Sequence, residues 1–461
     1  MAYLACVLWI VAHNWRLSSF GLLGTLRTAP AEESVPDFDQ ETVAAIGAAD
    51  ADWRAAARRA AYEAFVATEM PDDSEEIWRY IELGFELDDY SPAVEPGAPL
   101  EDDPLREVCD TVVTGEIVDG YWIGDDVVAG GVGVGSLARS SGVKPELVES
   151  VFTEAGLGDL EDRFALAAAA FGGDGAFIHV PTGTAAPGVI YLDVQATQPG
   201  TASFPRIAIA VDDGGDASVV IHLRSRHDDD LIVVPQIAAA LGANARLAVT
   251  VVQNFGYATR SIANANAAVG RDATLRFAEV GIGGLLARLH LDARLPGRGS
   301  TVDVVGAYFG EEEQTLDYRY FMQHIGTNTR SDMFLKGAVE DKARSVFTGM
   351  IRIEDSGQKT EAFQTNRNLI LSDGASAQSV PNLEILANDV KCGHGSTVGP
   401  LDEHQRYYLM SRGLGEQRAD RLQVHGFFDE ALVKLPQPEL AEPLRKWIID
   451  KFITAQEAGR V

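Results

Sequence analysis

Cysteine is scarce in this chain, whose 461 residues include only Cys6, Cys109 and Cys392. Three widely separated cysteines cannot form a disulfide framework, which favours the reducing cytoplasm as the compartment. They also cannot supply the four thiolates of a zinc site or of an iron–sulfur cluster held by one chain. Any such site here needs ligands from histidine, from carboxylates or from a partner.

Positive charge is scarce as well. Lys and Arg number 38 against 68 Asp and Glu, which gives a formal net charge of -30 at pH 7. This balance argues against nucleic acid as a partner, because a phosphate-binding surface must be basic. Only 8 of the 38 basic residues are lysine, and the acidic residues are dispersed along the chain. The pattern is typical of a halophilic protein kept in solution by surface carboxylates, and a cation-binding acidic tract is the alternative.

No hydrophobic run suited to crossing a membrane is evident. The apolar stretch "MAYLACVLWIVA" at residues 1–12 is shorter than the roughly 20 residues of a spanning helix. It also lacks the basic start and the small-residue cleavage site of a secretory signal. We therefore expect residues 1–35 to be an unassigned apolar or disordered extension, and we expect no membrane as a partner.

Helical periodicity occurs towards both ends of the chain. In "DWRAAARRAAYEAFVATEMP", Trp53 and Phe65 stand on one apolar face with intervening alanines, as an amphipathic helix requires. A second helical patch follows between Leu137 and Phe171, and the four prolines of residues 91–107 indicate an exposed connector. These patterns assign residues 36–172 to an N-terminal helical region with a connector.

The C-terminal stretch, residues 400–461, reads as a helical domain. Asp402 is suited to the N-cap of its first helix and Gly413 to the C-terminal cap. The apolar stripes of the following helices must be buried on the body of the protein or on a partner. These stripes comprise Leu422, Phe427, Leu432, Leu444, Trp447, Ile448 and Phe452.

Between these regions, residues 173–399 consist of short β-branched runs that end at Gly, Asp or Asn. No convincing helix interrupts them, which disfavours βαβ units. "GANARLAV" at 242, "GRDATLRF" at 270 and "GRGSTVDV" at 297 repeat a glycine turn and a strand about every 28 residues. Units that cannot bury a face alone predict a stacked β-solenoid, with a β-sandwich as the alternative.

Cys392 and His394, in "VKCGHGSTVGP", are the first candidate site. On a strand, residues two apart face the same side, and thiolate and imidazole are suitable ligands for iron–sulfur clusters, iron or zinc. Two ligands make half a site. From the residues alone, half a metal site, a Cys–His catalytic pair without an evident third group, and ordinary packing all remain open.

Other polar residues favour structural roles. His324 lies in a polar turn and is predicted to be structural, with a ligand role as the alternative. Asp228–Asp230, after His227, and Glu311–Glu313 are predicted to be solvated turns. Paired carboxylates of a polysaccharide-cleaving β-helix enzyme are the alternative at Glu311–Glu313.

Several long motifs resemble the SufB/SufD family of iron–sulfur cluster assembly proteins. The resemblance is carried by "HIGTNTRSDMFLKGAVEDKARSVFTGMIRIEDSGQKTEAFQTNRNLILSDGASAQSVPNLEILANDVKCGHGSTVGP" and, upstream, by "AFIHVPTGT", "VVQNFGYATRSIA" and "GAYFGEEEQTLDYR". "DWRAAARRAAYEAFVATEMP" resembles the N-terminal region of the SufD type. The similarity extends over roughly residues 50–455.

Within the family, the chain is more similar to SufD than to SufB. Asn366 stands near the position of the SufB assembly cysteine, and Gly395 replaces the glutamate that follows the histidine in SufB. The SufD pattern Lys-Cys-Ser-His-Gly-Ala-Thr is matched around Cys392 and His394, with departures at Gly393 and Ser396. A SufB-type subunit is the alternative.

The resemblance implies a right-handed parallel β-helix flanked by N-terminal and C-terminal α-helical domains. It implies a non-catalytic, cytoplasmic scaffold subunit of the SufBCD complex, which pairs with a SufB-like subunit and binds a SufC-like ATPase through its C-terminal helices. A transient iron–sulfur cluster or iron would be shared with SufB, with no intrinsic cofactor. His394 is the expected metal ligand, and Cys392 is the second residue of this shared site.

Overall fold

The computed structural model describes residues 36–156 and 162–459. These residues form a mainly β architecture, a parallel β-solenoid with helices on its N-terminal and C-terminal sides. The predicted fold class is confirmed, and the sandwich alternative is wrong because the strands pair in parallel along the stack. The extension expected at residues 1–35 lies outside the described residues.

The described helices and strands have the following bounds. The α-helices are α1 Gln40–Ile46, α2 Asp52–Ala67, α3 Leu137–Val143, α4 Pro145–Ala155, α5 Arg163–Phe171, α6 Glu403–Ser411, α7 Glu416–Leu432 and α8 Ala441–Glu457. The strands are β1 Ser91–Pro92, β2 Thr111–Val118, β3 Tyr121–Ile123, β4 Val127–Ala129, β5 Val132–Ser136, β6 Gly175–Val180, β7 Ala185–Ala196, β8 Thr201–Ser203, β9 Arg206–Val211, β10 Asp216–Ser225, β11 Ile232–Val233, β12 Gln236–Leu241, β13 Arg246–Asn254, β14 Arg260–Val269, β15 Thr274–Gly281, β16 Leu286–Leu295, β17 Thr301–Gly310, β18 Thr315–His324, β19 Arg330–Val339, β20 Arg344–Ile353, β21 Glu361–Ile370, β22 Ser376–Ile385 and β23 Lys391–Gly399.

Successive coils of the solenoid add one strand to each of two sheets. The first sheet runs β22-β20-β18-β16-β14-β12-β9-β6, and the second runs β23-β21-β19-β17-β15-β13-β10-β7. Because the pairing is parallel and in register, side chains of equal position form columns along the stack. Columns that face inward make one continuous apolar interior, as expected of repeats that bury their faces against their neighbours.

The repeated turns explain the sequence period. Each predicted glycine turn precedes a strand of the second sheet, and its third residue adopts a left-handed conformation, as at Asn244 (φ 57°) and Asp272 (φ 55°). Glycine, asparagine and aspartate tolerate this conformation best. The turn chemistry therefore repeats once per coil, which is the repeat read from the sequence.

The N-terminal region contains strands that the sequence did not indicate. Within residues 36–172, which the sequence assigned to helices and a connector, β2 pairs in parallel with β7 and extends the second sheet. The antiparallel pairs β2–β3 and β5–β6 then end the parallel stacking in the two sheets. The turn at Gly130–Gly131, where both residues are at positive φ, joins β4 and β5, which are three and five residues long and therefore too short to show a clear alternation.

The C-terminal helices α7 and α8 pack on the outer face of the second sheet. Phe428, Leu444 and Ile448 are fully buried there against outward-facing strand residues such as Val280 and Phe309. The predicted apolar stripes are therefore largely covered by the body of the protein. None of the helices in residues 36–156 and 162–459 is long and apolar enough to cross a membrane.

Candidate functional site

The last coil of the solenoid consists of β22 and β23, the end strands of the two sheets. Within the described part of the chain, no further strand pairs with their outer edges, so unpaired backbone groups face outward. Apolar side chains around this coil are exposed too. They are Phe363, Ile385, Leu386 and Val398, each 40% to 46% exposed. We call this coil, with its two open edges, the terminal coil.

Cys392 and His394 both lie on the terminal coil. The register places Cys392 beside Ala362 and His394 beside Gln364, and both of these neighbours are buried. Because residues two apart on a strand face the same side, Cys392 and His394 continue the inward-facing columns at the point where no later coil covers them. The two side chains are thus brought to one open end of the solenoid.

The two side chains differ in environment. Cys392 is partly buried and packs against the apolar interior, and this burial raises the pKa of its thiol, which disfavours the thiolate. His394 is exposed, and it forms no hydrogen bond or ion pair with any residue of the described ranges. Its ring nitrogens are therefore available to a metal or a partner, while Cys392 needs a change of surroundings before it ionises.

Polar groups lie directly beneath His394. Gln364 is 1% exposed and donates a hydrogen bond from Nε2 to the carbonyl oxygen of Asn382 at 3.0 Å. Its Oε1 atom finds no hydrogen-bond partner in the described part of the chain. An acceptor buried without a donor is costly, so this end of the interior has unused hydrogen-bonding capacity.

Asn366, which stands near the position of the SufB cysteine, has a structural role. It is buried in the interior and donates from Nδ2 to the hydroxyl of Tyr308 at 3.1 Å. Asn368 donates to its Oδ1 at 2.6 Å and accepts from Tyr308 at 2.6 Å. These three side chains satisfy one another, so the position holds a closed amide network and no nucleophile.

A buried cluster that sequence reasoning missed is formed by Asp103, Asp193 and His222. Among the described residues, these three side chains lie close enough together to hold a metal ion, and Cys392 and His394 are not among them. Arg224 donates two hydrogen bonds to the carboxylate of Asp193, from Nε at 2.8 Å and from Nη2 at 2.7 Å. Because that guanidinium supplies the positive charge, a cation is not required there. Asp103 and His222 are 119 residues apart in the sequence, so no local signal marks this cluster.

The cluster fastens the connector to the solenoid. Burial alone raises the pKa of Asp103, but hydrogen bonds from His222 at 3.0 Å and from Tyr191 at 2.7 Å outweigh it, so that the pKa falls to about 2. Nearby, burial raises the pKa of the Cys109 thiol to about 12. The cluster therefore has a structural role, and the raised pKa keeps the Cys109 thiol protonated and unreactive.

The other polar candidates have partners that fit structural roles. His324 is fully buried, with Nδ1 at 2.8 Å from Thr329 Oγ1 and Nε2 at 2.9 Å from Ser331 Oγ. Burial lowers its pKa to about 4, so it is neutral at pH 7. Glu311 pairs with Lys451 of α8, and Glu313 with Lys342 at 2.9 Å. These pairs occupy the carboxylates that the enzyme alternative requires.

The C-terminal helices leave part of their surface uncovered. Leu422 of α7 is 50% exposed, and on α6 Tyr407 is 76% and Tyr408 is 56% exposed. Leu422 also lines an open depression of about 810 Å³, together with Leu414, His425 and Ile449 among others. Clustered exposed apolar residues mark surfaces suited to protein contacts.

Comparison with known proteins agrees with this architecture. Residues 194–427 match the family model "SUF system FeS cluster assembly, SufBD core domain". A SufBD family protein of Mycobacterium bovis is 33% identical over 263 residues, which are 55% of this chain and 65% of that protein, so the match spans less than two thirds of its length.

Two further relatives extend the comparison. A SufBD family protein of Mycobacterium leprae is 30% identical over 391 residues, covering 82% of this chain and 89% of that protein. The iron–sulfur cluster assembly protein SufD of Escherichia coli is 30% identical over 218 residues, covering 47% of this chain and 52% of that protein. The chain therefore belongs to the SufBD family of the SUF system for iron–sulfur cluster assembly.

Proposed function

We propose that this chain is the SufD-type, non-catalytic subunit of an iron–sulfur cluster assembly scaffold in the cytoplasm. The observation that carries the proposal is the terminal coil, whose open edges present His394 without a partner of its own. The buried amide network around Asn366 supports the SufD type over the SufB type, because no thiol stands at that position.

A SufB-type subunit is the proposed partner of the terminal coil. A second solenoid end can pair with the open edges of β22 and β23 and cover Ile385 and Val398, as edge strands generally do with another chain. A SufC-type ATPase is the proposed partner of the C-terminal helices. The exposed side chains of Leu422, Tyr407 and Tyr408 support that contact.

Iron, or a transient iron–sulfur cluster, is the proposed cargo at the shared end. A neutral imidazole nitrogen of His394 can bind iron, while the partner supplies the remaining ligands, since two donors cannot complete a tetrahedral site. Cys392 is the weaker donor in the free subunit because its thiol pKa is raised. Docking of a partner that brings positive charge to this edge would favour its thiolate.

Replacing His394 by alanine is expected to lower the iron and sulfide retained by the assembled complex by roughly tenfold or more. Residues that only support a metal ligand already contribute about 10- to 100-fold to metal affinity. The measurement is iron and acid-labile sulfide per complex after co-expression with SufB-type and SufC-type subunits and anaerobic purification. His227→Ala, which changes another exposed histidine (79% exposed) on a turn outside the terminal coil, is the matched control. Equal cluster content in the two variants would disprove the ligand role.

Replacing Val398 by aspartate is expected to weaken binding of the SufB-type partner by roughly tenfold or more, because pairing would bury an unpaired carboxylate. Val398 is 42% exposed in this subunit, so the fold itself tolerates the change. The measurement is the dissociation constant of the purified pair. Val128→Asp, at a 76% exposed position on the β4–β5 hairpin, controls for added charge. Unchanged affinity in Val398→Asp would place the interface elsewhere.

A further inference from the structure

A pocket of about 510 Å³ lies between α2, α3, α4 and α5 and the outer face of the first sheet at β9 and β12. This volume is within the range of small-molecule sites. Its apolar wall is formed by Trp53, Leu137, Phe152, Leu166 and the alanines of α2 and α5 that face the pocket. The residues of the terminal coil and of α7 take no part in this lining.

Three arginines line the pocket, Arg54, Arg58 and Arg206. Arg54 and Arg58 are 4% and 3% exposed, and both contact Asp50, at 3.4 Å and 2.8 Å. They also donate to backbone carbonyls, as in the 2.6 Å bond from Arg58 Nη1 to the oxygen of Ala170. Asp50 thus pairs with two of the three guanidinium groups, the partly buried Asp174 also interacts with Arg54, and no carboxylate forms an ion pair with Arg206 among the described residues.

Arg206 is the arginine without an anionic partner. In the described part of the chain it forms no hydrogen bond or ion pair, and its guanidinium lies over the ring of Phe152 at 4.5 Å. Burial, followed by the charges of Arg54 and Arg58, lowers the pKa of Arg206 to about 9, so it remains charged at pH 7. Arg206 is partly buried, and its Nε atom is buried without an acceptor. A buried donor without an acceptor is unfavourable, and an anion in the pocket would supply that acceptor and a counter-charge.

Further unused polar atoms belong to the same wall. Arg54 Nη1 and Gln236 Oε1 have no hydrogen-bond partner among the described residues, although Arg54 and Gln236 are 4% and 2% exposed. Glu149 lines the pocket at an exposed position and forms no ion pair with Arg206 in the described structure. The pocket therefore offers positive charge inside and an apolar wall around it.

We propose that this pocket binds a small organic anion, a carboxylate with an apolar body. The carboxylate would pair with Arg206, and the apolar body would contact Phe152, Leu166 and the alanines of α2. Inorganic anions fit this pocket less well, because they have no apolar body to cover its apolar wall. The site is separate from the surfaces assigned to the two protein partners and does not depend on them.

The test uses the full chain and the fluorescent probe 8-anilinonaphthalene-1-sulfonate, an aromatic body with one anionic group. One probe molecule is expected to bind per chain, and octanoate is expected to displace it. Octanol, which has the same body without the charge, should bind roughly tenfold or more weakly, as the loss of a charged hydrogen bond predicts. Inorganic phosphate should not displace the probe. Equal affinity for octanoate and octanol, or the absence of a single site, would overturn the proposal.

Two variants localise the site. Arg206→Met keeps the length of the side chain and removes its charge, and should weaken octanoate binding roughly tenfold while octanol binding stays unchanged. Arg246→Met, at a 73% exposed side chain, should change neither. Ala57→Trp, at an exposed position on the pocket wall, should block binding of both ligands. If Arg206→Met does not fold, unchanged octanoate binding in Ala57→Trp would overturn the proposal. Binding that appears only after removal of residues 1–35 would identify that segment as the occupant and overturn the proposal.

Discussion

Replacing Asp317 by alanine is expected to lower the free energy of unfolding by about 3–5 kcal/mol, because it leaves a buried guanidinium without its carboxylate. Asp317 on β18 is paired in register with Arg288 on β16, and their side chains form an ion pair with 0% and 3% exposure. Arg288 also donates from Nη2 to the carbonyl oxygen of Ile77 at 2.9 Å, and its guanidinium stacks on Trp78 at 3.9 Å. The pair therefore fastens the N-terminal segment to the solenoid.

Urea unfolding followed by tryptophan fluorescence measures this effect. Glu313→Ala, which breaks the exposed pair with Lys342, is the matched control and should leave the free energy of unfolding nearly unchanged, because solvent screens exposed pairs. The double variant Arg288→Met with Asp317→Leu should recover most of the lost stability, since an apolar pair of similar volume avoids the cost of burying charge. Equal losses for Asp317→Ala and Glu313→Ala would refute the assignment.

Replacing Glu279 by glutamine is expected to remove a strong dependence of stability on pH. Glu279 shares the inward face of β15 with Leu275 and Phe277, and burial raises the pKa of its carboxyl to about 8, with Tyr320 as its polar neighbour. Between the ordinary pKa of 4.5 and pH 8 the folded state holds a proton that the unfolded state releases. The stabilisation is complete below pH 4.5 and is lost as pH rises towards 8.

The free energy of unfolding of the wild type should therefore fall relative to Glu279→Gln by about 1.4 kcal/mol per pH unit across this window, which amounts to several kcal/mol by pH 8. Urea titrations at pH 5, 6, 7 and 8 measure the difference. Glu107→Gln, at an exposed glutamate, should give a curve parallel to the wild type. If the curve of Glu279→Gln is also parallel to that of the wild type, Glu279 must ionise at its ordinary pKa despite its burial, and the prediction is wrong.

The features that sequence reasoning found are those that repeat or that lie close together in the chain. The turns at 242, 270 and 297 predict the coils, because each turn needs a residue that tolerates a left-handed backbone. Cys392 and His394 were placed on one face because strand geometry alone decides this. The membership in the SufBD family followed from long motifs, while the ligand role of His394 and the adaptation to salt stay predictions.

The features that it missed depend on contacts between distant parts of the chain. The hydrogen bond between Asp103 and His222 joins residues from separate elements. The pocket around Arg206 does so as well. No local sequence pattern marks these residues, because their neighbours in space depend on the order in which the strands stack. The strands β2 to β5 were missed because β3 and β4 are three residues long and because glycines interrupt the alternation within β2 and β5.

The two ends of the solenoid are unequal, and this limits what the chain can build. At the N-terminal end, short antiparallel strands such as β3 and β4 close the sheets, and short edge strands resist addition of another chain. At the C-terminal end, no strand of the described residues covers the outer edge of either sheet. A unit with one reactive end has a valency of one, so end-to-end pairing stops at two solenoids. If the proposed partner also has one open end, the edge pairing that could otherwise propagate into a fibre would give a closed pair.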